Sequence, residues 1–250
     1  MISDKKKLLN PSLQILAFSS SRSGNSGYLE TAAPVIKNFL GSKPTNIAFI
    51  PFASTDKNYQ EYGSRVSEGL KDLPVEINVA LPENAKSVIE KSDAIMVGGG
   101  NTFKLIHDLY ELNLLDLIRM RIDNGAPFMG WSAGSNILNP TISTTNDMPV
   151  IEPKSFKALN IFPFQTNPHY FNQKTEGFNG ETRDQRLEEF LEMNQEGKII
   201  GLPEGTGLVL QNSILKFFGE ARAILFEIKE NKFIKTAIKP ETNLSFLFAQ

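Results

Sequence analysis

Ala126-Pro127-Phe128-Met129-Gly130-Trp131-Ser132-Ala133-Gly134-Ser135-Asn136 is the stretch from which the fold can be read. A short apolar run ends here in Gly-x-Ser-x-Gly, the pattern of a strand that turns sharply into a helix with one hydroxyl at the bend. So tight a bend crowds the Cβ atoms on either side, and glycines flanking the serine let the helix pack back on the strand. The pattern predicts that Ser132 points into a cleft. The amide of Ala133, at the helix N-terminus, would then face an oxyanion forming there. Taken alone, the pentapeptide equally fits a glycine-containing loop with an incidental serine, so the context must come from the rest of the chain.

The 250 residues suffice to bury a core, and 40% hydrophobic and 22% charged residues are ordinary for a globular protein. A net charge of -2 gives no electrostatic reason to expect nucleic acid or an anionic membrane as partner, which leaves small molecules or peptides. The absence of cysteine removes disulfides, thiolate metal ligands and a Cys nucleophile together, so a covalent hydrolase of this sequence must use a hydroxyl. The N-terminal MISDKKKLLNPSLQ breaks at Asn10-Pro11 before an apolar region of signal-peptide length develops, and no run approaches the length of a membrane span. The expected location is cytoplasmic.

Outward from the serine, strands and helices alternate. Strands are expected at 13–18, 46–52, 75–80 and 94–97, and helices at 28–40, 59–73 and 85–91, which predicts a largely parallel sheet. The polar Ser19–Gly27 loop lacks the Lys-Ser/Thr ending of a phosphate loop and reads as a connection near the site. Gly98-Gly99-Gly100-Asn101-Thr102-Phe103 joins a strand to a helix, and amides without Cβ cover there suit close approach of an oxyanion. A tight turn with Asn101 or Thr102 capping the helix is the simpler alternative. Strand 198–202 ends in Pro203-Glu204-Gly205, and a carboxylate at the C-terminal end of such a strand stands where α/β sheets bind ligands. Segments 207–218 and 222–238 read as antiparallel strands closing the sheet.

A serine nucleophile of this kind needs a neutral imidazole, and the chain has two histidines. His107, with Lys104 and Glu111 at helical spacing, reads as a solvated side chain. His169, behind Pro168 and just after an apolar run, is the better base. Asp147, before Met148-Pro149, reads on its own as a turn acceptor. Arg183 and Arg186 read as solvated helix charges unless the site needs a cation.

Taken in order, Gly98-Gly99-Gly100-Asn101-Thr102-Phe103, Gly130-Trp131-Ser132-Ala133-Gly134, Thr144-Thr145-Asn146-Asp147-Met148-Pro149, Asn167-Pro168-His169, Gly180-Glu181-Thr182-Arg183 and Gly201-Leu202-Pro203-Glu204-Gly205 resemble the peptidase E family of α-aspartyl dipeptidases over residues 13–225. The resemblance implies a single catalytic domain over 1–250. It implies a three-layer α/β fold similar to class I glutamine amidotransferases, with a mostly parallel sheet, helices on both faces and antiparallel strands near the C-terminus. It also implies hydrolysis of Asp-Xaa dipeptides in the cytoplasm without a metal or other cofactor, by a monomer or homodimer.

Ser132 matches the family's nucleophile and His169 its base; Asp147 and Glu204 both fall on motifs considered for the third member of the relay. The implied acyl transfer would use amides of Ala133 and of Gly99 or Gly100 for the oxyanion. A buried aspartate side chain requires a cation, for which Arg183 is the candidate, with Arg22 and Arg186 behind it. Two other readings compete: a cyanophycinase-like β-aspartyl isopeptide hydrolase, which would want an acidic cleft, and a non-catalytic amidotransferase-like binding module.

Overall fold

In the computed structural model, residues 10–173, 176–177 and 179–248 are described; the first nine residues, on which part of the leader expectation rests, lie outside them. In chain order the elements are β1 (Ile15–Phe18), α1 (Ala33–Leu40), β2 (Thr45–Ile50), α2 (Tyr59–Gly69), β3 (Val75–Val79), α3 (Ala85–Lys91), β4 (Ala94–Val97), α4 (Thr102–Glu111) and α5 (Leu115–Asp123). Then follow β5 (Phe128–Trp131), α6 (Ala133–Asn136), β6 (Gln165–Pro168), α7 (Arg183–Met193) and β7 (Lys198–Leu202). Strands β8 (Gly207–Gln211), β9 (Ile214–Phe218), β10 (Ala223–Lys229) and β11 (Lys232–Ile238) and a 3-10 turn, Ser245–Phe248, complete the order.

The main sheet has the order β3-β2-β4-β5-β1-β8-β9. Its first five strands run parallel, and β8 and β9 add antiparallel. Successive residues of a strand face opposite sides, and here both sides are apolar. Leu16, Phe18, Met96, Met129 and Trp131 pack with Ile36 and Phe39 of α1 and Tyr62 and Val66 of α2. Ile15, Ala17, Ile95, Val97 and Phe128 pack instead with Leu105, Ile106, Ile118, Ile122 and Ile137 from α4, α5 and the end of α6. These are the helices on both faces that the family resemblance implies.

Three expectations are corrected. The helix expected from residue 28 begins only at Ala33: Leu29 sits at φ 57°, outside helical space, and Pro34 fits only a first turn. The second expected helix ends at Gly69, where a Cβ would lie 2.8 Å from the Tyr28 carbonyl oxygen.

The third concerns the sheet. β10 and β11 do not close the main sheet; they pair with β7 and β6 in a separate sheet of order β11-β10-β7-β6, in which β6 and β7 run parallel. The reason is burial on two sides. Ile200, Leu202, Ala223 and Leu225 face the main core, while Ile199 and Phe226 face Leu187 and Leu191 of α7. Amphipathic α7 gives β10 a second apolar surface to cover, which the edge of the main sheet does not offer. Among the described residues no helix is long and apolar enough to cross a membrane.

Candidate active site

Five chain segments meet where the strands of both sheets end. Ser19 follows β1, Gly98–Gly100 follow β4 and Ser132 follows β5; His169 follows β6 and Glu204 lies two residues beyond β7. Carboxyl ends of parallel strands are where such sheets leave a crevice.

Ser132 stands at φ 53° and ψ -114°, a region that costs a non-glycine residue about 1–3 kcal/mol and persists only where its surroundings hold it. Its amide donates to the Phe18 carbonyl at 3.2 Å, and its own carbonyl accepts from the amides of Ser135 and Asn136 at 2.9 and 3.0 Å. The Ser135 hydroxyl ties the bend to Phe18 and Gly130 at 2.7 and 3.0 Å. The flanking glycines are needed for close approach: a Cβ on Gly130 would lie 2.6 Å from the Gly134 carbonyl oxygen, and one on Gly134 only 2.2 Å from that of Val97. Gly134→Ala is therefore expected to destabilise the fold by about 2–3 kcal/mol, since neither backbone neighbour can give way. The check is a lower urea midpoint with an unchanged slope.

His169 also sits at positive φ, 53°. Its Nε2 is 3.0 Å from the Ser132 hydroxyl and its Nδ1 is 2.7 Å from Glu204 Oε1. An ionised carboxylate can only accept, so His169 Nδ1–H donates to Glu204 and the Nε2 lone pair is left toward the serine. Such a line can pass a proton from hydroxyl to imidazole. Asp147 is elsewhere: its Oδ2 accepts from the Thr102 amide at 2.7 Å and the Thr145 hydroxyl at 3.0 Å, so it caps the start of α4. Of the two carboxylates left open by the sequence, Glu204 is the one bonded to the imidazole.

Among the described residues the amides of Gly99, Gly100 and Ala133 have no acceptor. Gly99 packs so near the bend that a Cβ would lie 3.1 Å from that of Ser132, and Gly100 takes φ 136° with its neighbouring Asn101 amide donating to Ala53. Asn101 also caps α4 by accepting from the Lys104 amide, so the turn and capping readings of this loop hold alongside the open amides.

Arg183 opens α7 behind a capping box of Thr182 and Gln185 and is half-buried. Burial first, then the neighbouring Arg186, lower its guanidinium pKa, while Asp147 and the Tyr170 hydroxyl oppose them, which sets Arg183 within electrostatic range of Asp147. Among the described residues it has no ion-pair partner. The reading of His107 needs correction: its neighbour Lys104 is buried with Asp108 and the Tyr59 hydroxyl, and His107 Nδ1 meets Asp108 at 3.0 Å, so this helix face is a packed polar cluster rather than a solvated one.

Sequence reasoning missed the residues that join the segments. The buried Ser19 hydroxyl accepts from the His169 amide at 2.9 Å and donates to the Leu202 carbonyl at 2.8 Å, tying the ends of β6 and β7 to the end of β1. The Asn146 amide group holds the Pro168 carbonyl at 2.8 Å, and Ser20 accepts from the Gly205 amide at 3.2 Å. The position of Ser19 directly after an apolar strand was the only signal, and it was legible only as a loop.

The chain matches peptidase family S51 over residues 15–217. It is 47% identical over 237 residues to the peptidase E of Nostoc sp., covering 94% of this chain and 97% of that protein. It is 45% identical over 202 residues to the peptidase E of Haemophilus influenzae, covering 80% and 93%. The crystal structure of a peptidase from an acI-B1 actinobacterium superposes with a TM-score of 0.65 at 16% identity, over 94% of this chain and 97% of that one, a likeness of fold.

Proposed function

Since the chain belongs to peptidase family S51 and is a serine peptidase, we propose that it hydrolyses dipeptides with an N-terminal aspartate, Asp-Xaa, through an acyl-enzyme on Ser132. The observation that carries this reading is the hydrogen-bonded line from Ser132 through His169 to Glu204. The motif resemblance suggests the substrate class, and relatives of similar length named peptidase E support a peptidase.

In this reading His169 Nε2 takes the hydroxyl proton as Ser132 Oγ bonds to the aspartyl carbonyl carbon. The carbonyl electron pair moves to oxygen, and the amides of Ala133 and of Gly99 or Gly100 hold that charge. Collapse of the tetrahedral species breaks the C–N bond, and the imidazolium gives its proton to the leaving amine. Water then repeats the sequence on the ester, releasing aspartate and restoring Ser132. His169 keeps its Nδ1 hydrogen throughout, and Glu204, accepting the hydrogen bond from it, stabilises the imidazolium.

Among the described residues lining the cleft beside Ser132 and His169, Arg65 is the cation and Asp56 the one acid, a lining that offers a substrate arginine a single carboxylate and disfavours the isopeptide alternative. The test compares kcat/KM for Asp-Leu, Asn-Leu and β-aspartyl-arginine, with a fluorophosphonate probe reporting on Ser132. Asp-Leu is expected to lead by orders of magnitude. Faster turnover of β-aspartyl-arginine would overturn the substrate assignment, and failure of the probe to label would return the binding-module reading.

Arg183 is assigned to the aspartate side chain. A guanidinium meets a carboxylate with two parallel charge-assisted bonds that an amide cannot accept in the same way. Loss of bonds to a charged group costs up to about 3 kcal/mol, so Arg183→Met is expected to lower kcat/KM for Asp-Leu about a hundred-fold. Asn-Leu should change far less. An unchanged Asp-to-Asn ratio would remove Arg183 from the pocket.

A further inference from the structure

An Asp-Xaa dipeptide carries two carboxylates, the first residue's side chain and the C-terminal α-carboxylate, on opposite sides of the bond that breaks. Arg183 can answer one. The cleft that contains Ser132, His169 and Gly99, about 600 Å³ in volume, has a second guanidinium on its wall, that of Arg65.

Three observations single Arg65 out. It is borne by α2, which packs on the face of the main sheet opposite to α4, whereas Arg183 opens α7, which packs on the second sheet; the two cations thus stand on different elements. Its position is fixed relative to the reacting bond: the guanidinium carbon lies 5.2 Å from the Tyr62 ring centroid, and the Tyr62 hydroxyl donates to the Gly99 carbonyl at 2.9 Å. Tyr62 is itself held edge-on to Phe49, which stacks on Trp131, the residue before the serine.

The third observation is charge. The helical neighbours that would neutralise Arg65 are engaged elsewhere, Glu68 with Lys71 at 2.6 Å and Glu61 with the Asn58 amide group. Asp56 accepts from the Ser54 hydroxyl at 2.6 Å and the Asn58 amide at 3.0 Å; it stands in electrostatic range of Arg65 without meeting it in an ion pair. Among the described residues Arg65 makes no ion pair. The ring beneath it cannot take a charge of its own: burial, above all, raises the Tyr62 phenol above its ordinary range, so it stays neutral.

We propose that Arg65 binds the C-terminal carboxylate of the substrate and so selects dipeptides over amides and longer peptides. A longer peptide would place an uncharged amide at the position of that carboxylate, and the loss of the pair lowers affinity rather than the rate of bond breaking. This subsite rests on the dipeptidase reading but not on aspartate as the first residue.

The experiment measures kcat/KM on Asp-Leu and Asp-Leu amide for the wild type, Arg65→Met and Arg65→Lys. The wild type is expected to prefer the free acid about tenfold, mostly through KM, the scale of a partly solvated charge pair with two hydrogen bonds. In Arg65→Met the acid-to-amide ratio should fall toward one, and Arg65→Lys should keep part of it. An equal fall on both substrates would mean that Arg65 merely supports Tyr62 and the Gly99 turn, and a wild type indifferent to the amide would mean that no such subsite exists; either overturns the proposal. Were another dipeptide cleaved in place of Asp-Leu, the aspartate reading would fail while the same comparison on that dipeptide still tested Arg65. A wild type that cleaves no dipeptide acid overturns both.

Discussion

Ser132→Ala is expected to lower kcat for Asp-Leu by about a million-fold, the scale found when the nucleophile of a serine relay is removed. The variant should fold normally. The bend is held by backbone bonds to Phe18, Ser135 and Asn136 and by the Ser135 hydroxyl, none of which uses the Ser132 side chain, and alanine keeps the Cβ already accommodated at φ 53°. His169→Ala should be comparably severe, and the double variant no worse than either, because members of a relay act as a unit. Single-turnover assays on the purified variants, with urea unfolding as the control for folding, check this. Substantial turnover in Ser132→Ala would end the serine mechanism, and a double variant far below both singles would separate His169 from Ser132.

The second large effect concerns Glu204, for which a loss of about ten thousand-fold in kcat is expected on replacement by glutamine. The glutamine amide group can donate to Nδ1, where the carboxylate accepts. That favours the tautomer with hydrogen on Nε2, which then confronts the serine hydroxyl as a second donor. Asp147→Asn should behave differently. It weakens the acceptor of the Thr102 amide and the field acting on Arg183, so its effect should lie mainly in KM, with kcat changed by no more than about tenfold. The separation of kcat from KM in the two variants is the measurement. A larger kcat loss for Asp147→Asn than for Glu204→Gln would reverse the assignment.

Much of the architecture was legible because it is written in short-range patterns. The apolar runs at 94–97 and 128–131 could be strands buried on both faces only in a sheet with helices on each side, and glycines at 130 and 134 could leave room only for a helix folded back on its strand. The second sheet was not legible, because β7 and β10 are apolar strands whose sequence does not say which edge they join. The choice is made by α7, whose Leu187 and Leu191 cover Ile199 and Phe226.

The same division runs through the site. The sequence by itself determined the bend at Ser132, the glycine turn at 98–100 and, with only two histidines to choose from, His169 as the imidazole to place near them. These follow from local steric limits on φ and ψ and from counting. Only the tertiary structure decided that Glu204 rather than Asp147 meets His169, that Ser19 fastens β6 and β7 to β1, and that the Tyr62 hydroxyl, with Arg65 over its ring, reaches the Gly99 carbonyl. Each of these contacts depends on which loop ends come within about 3–5 Å of one another after strands distant in sequence have paired, a matter settled by burial of whole elements and carried by no local signal.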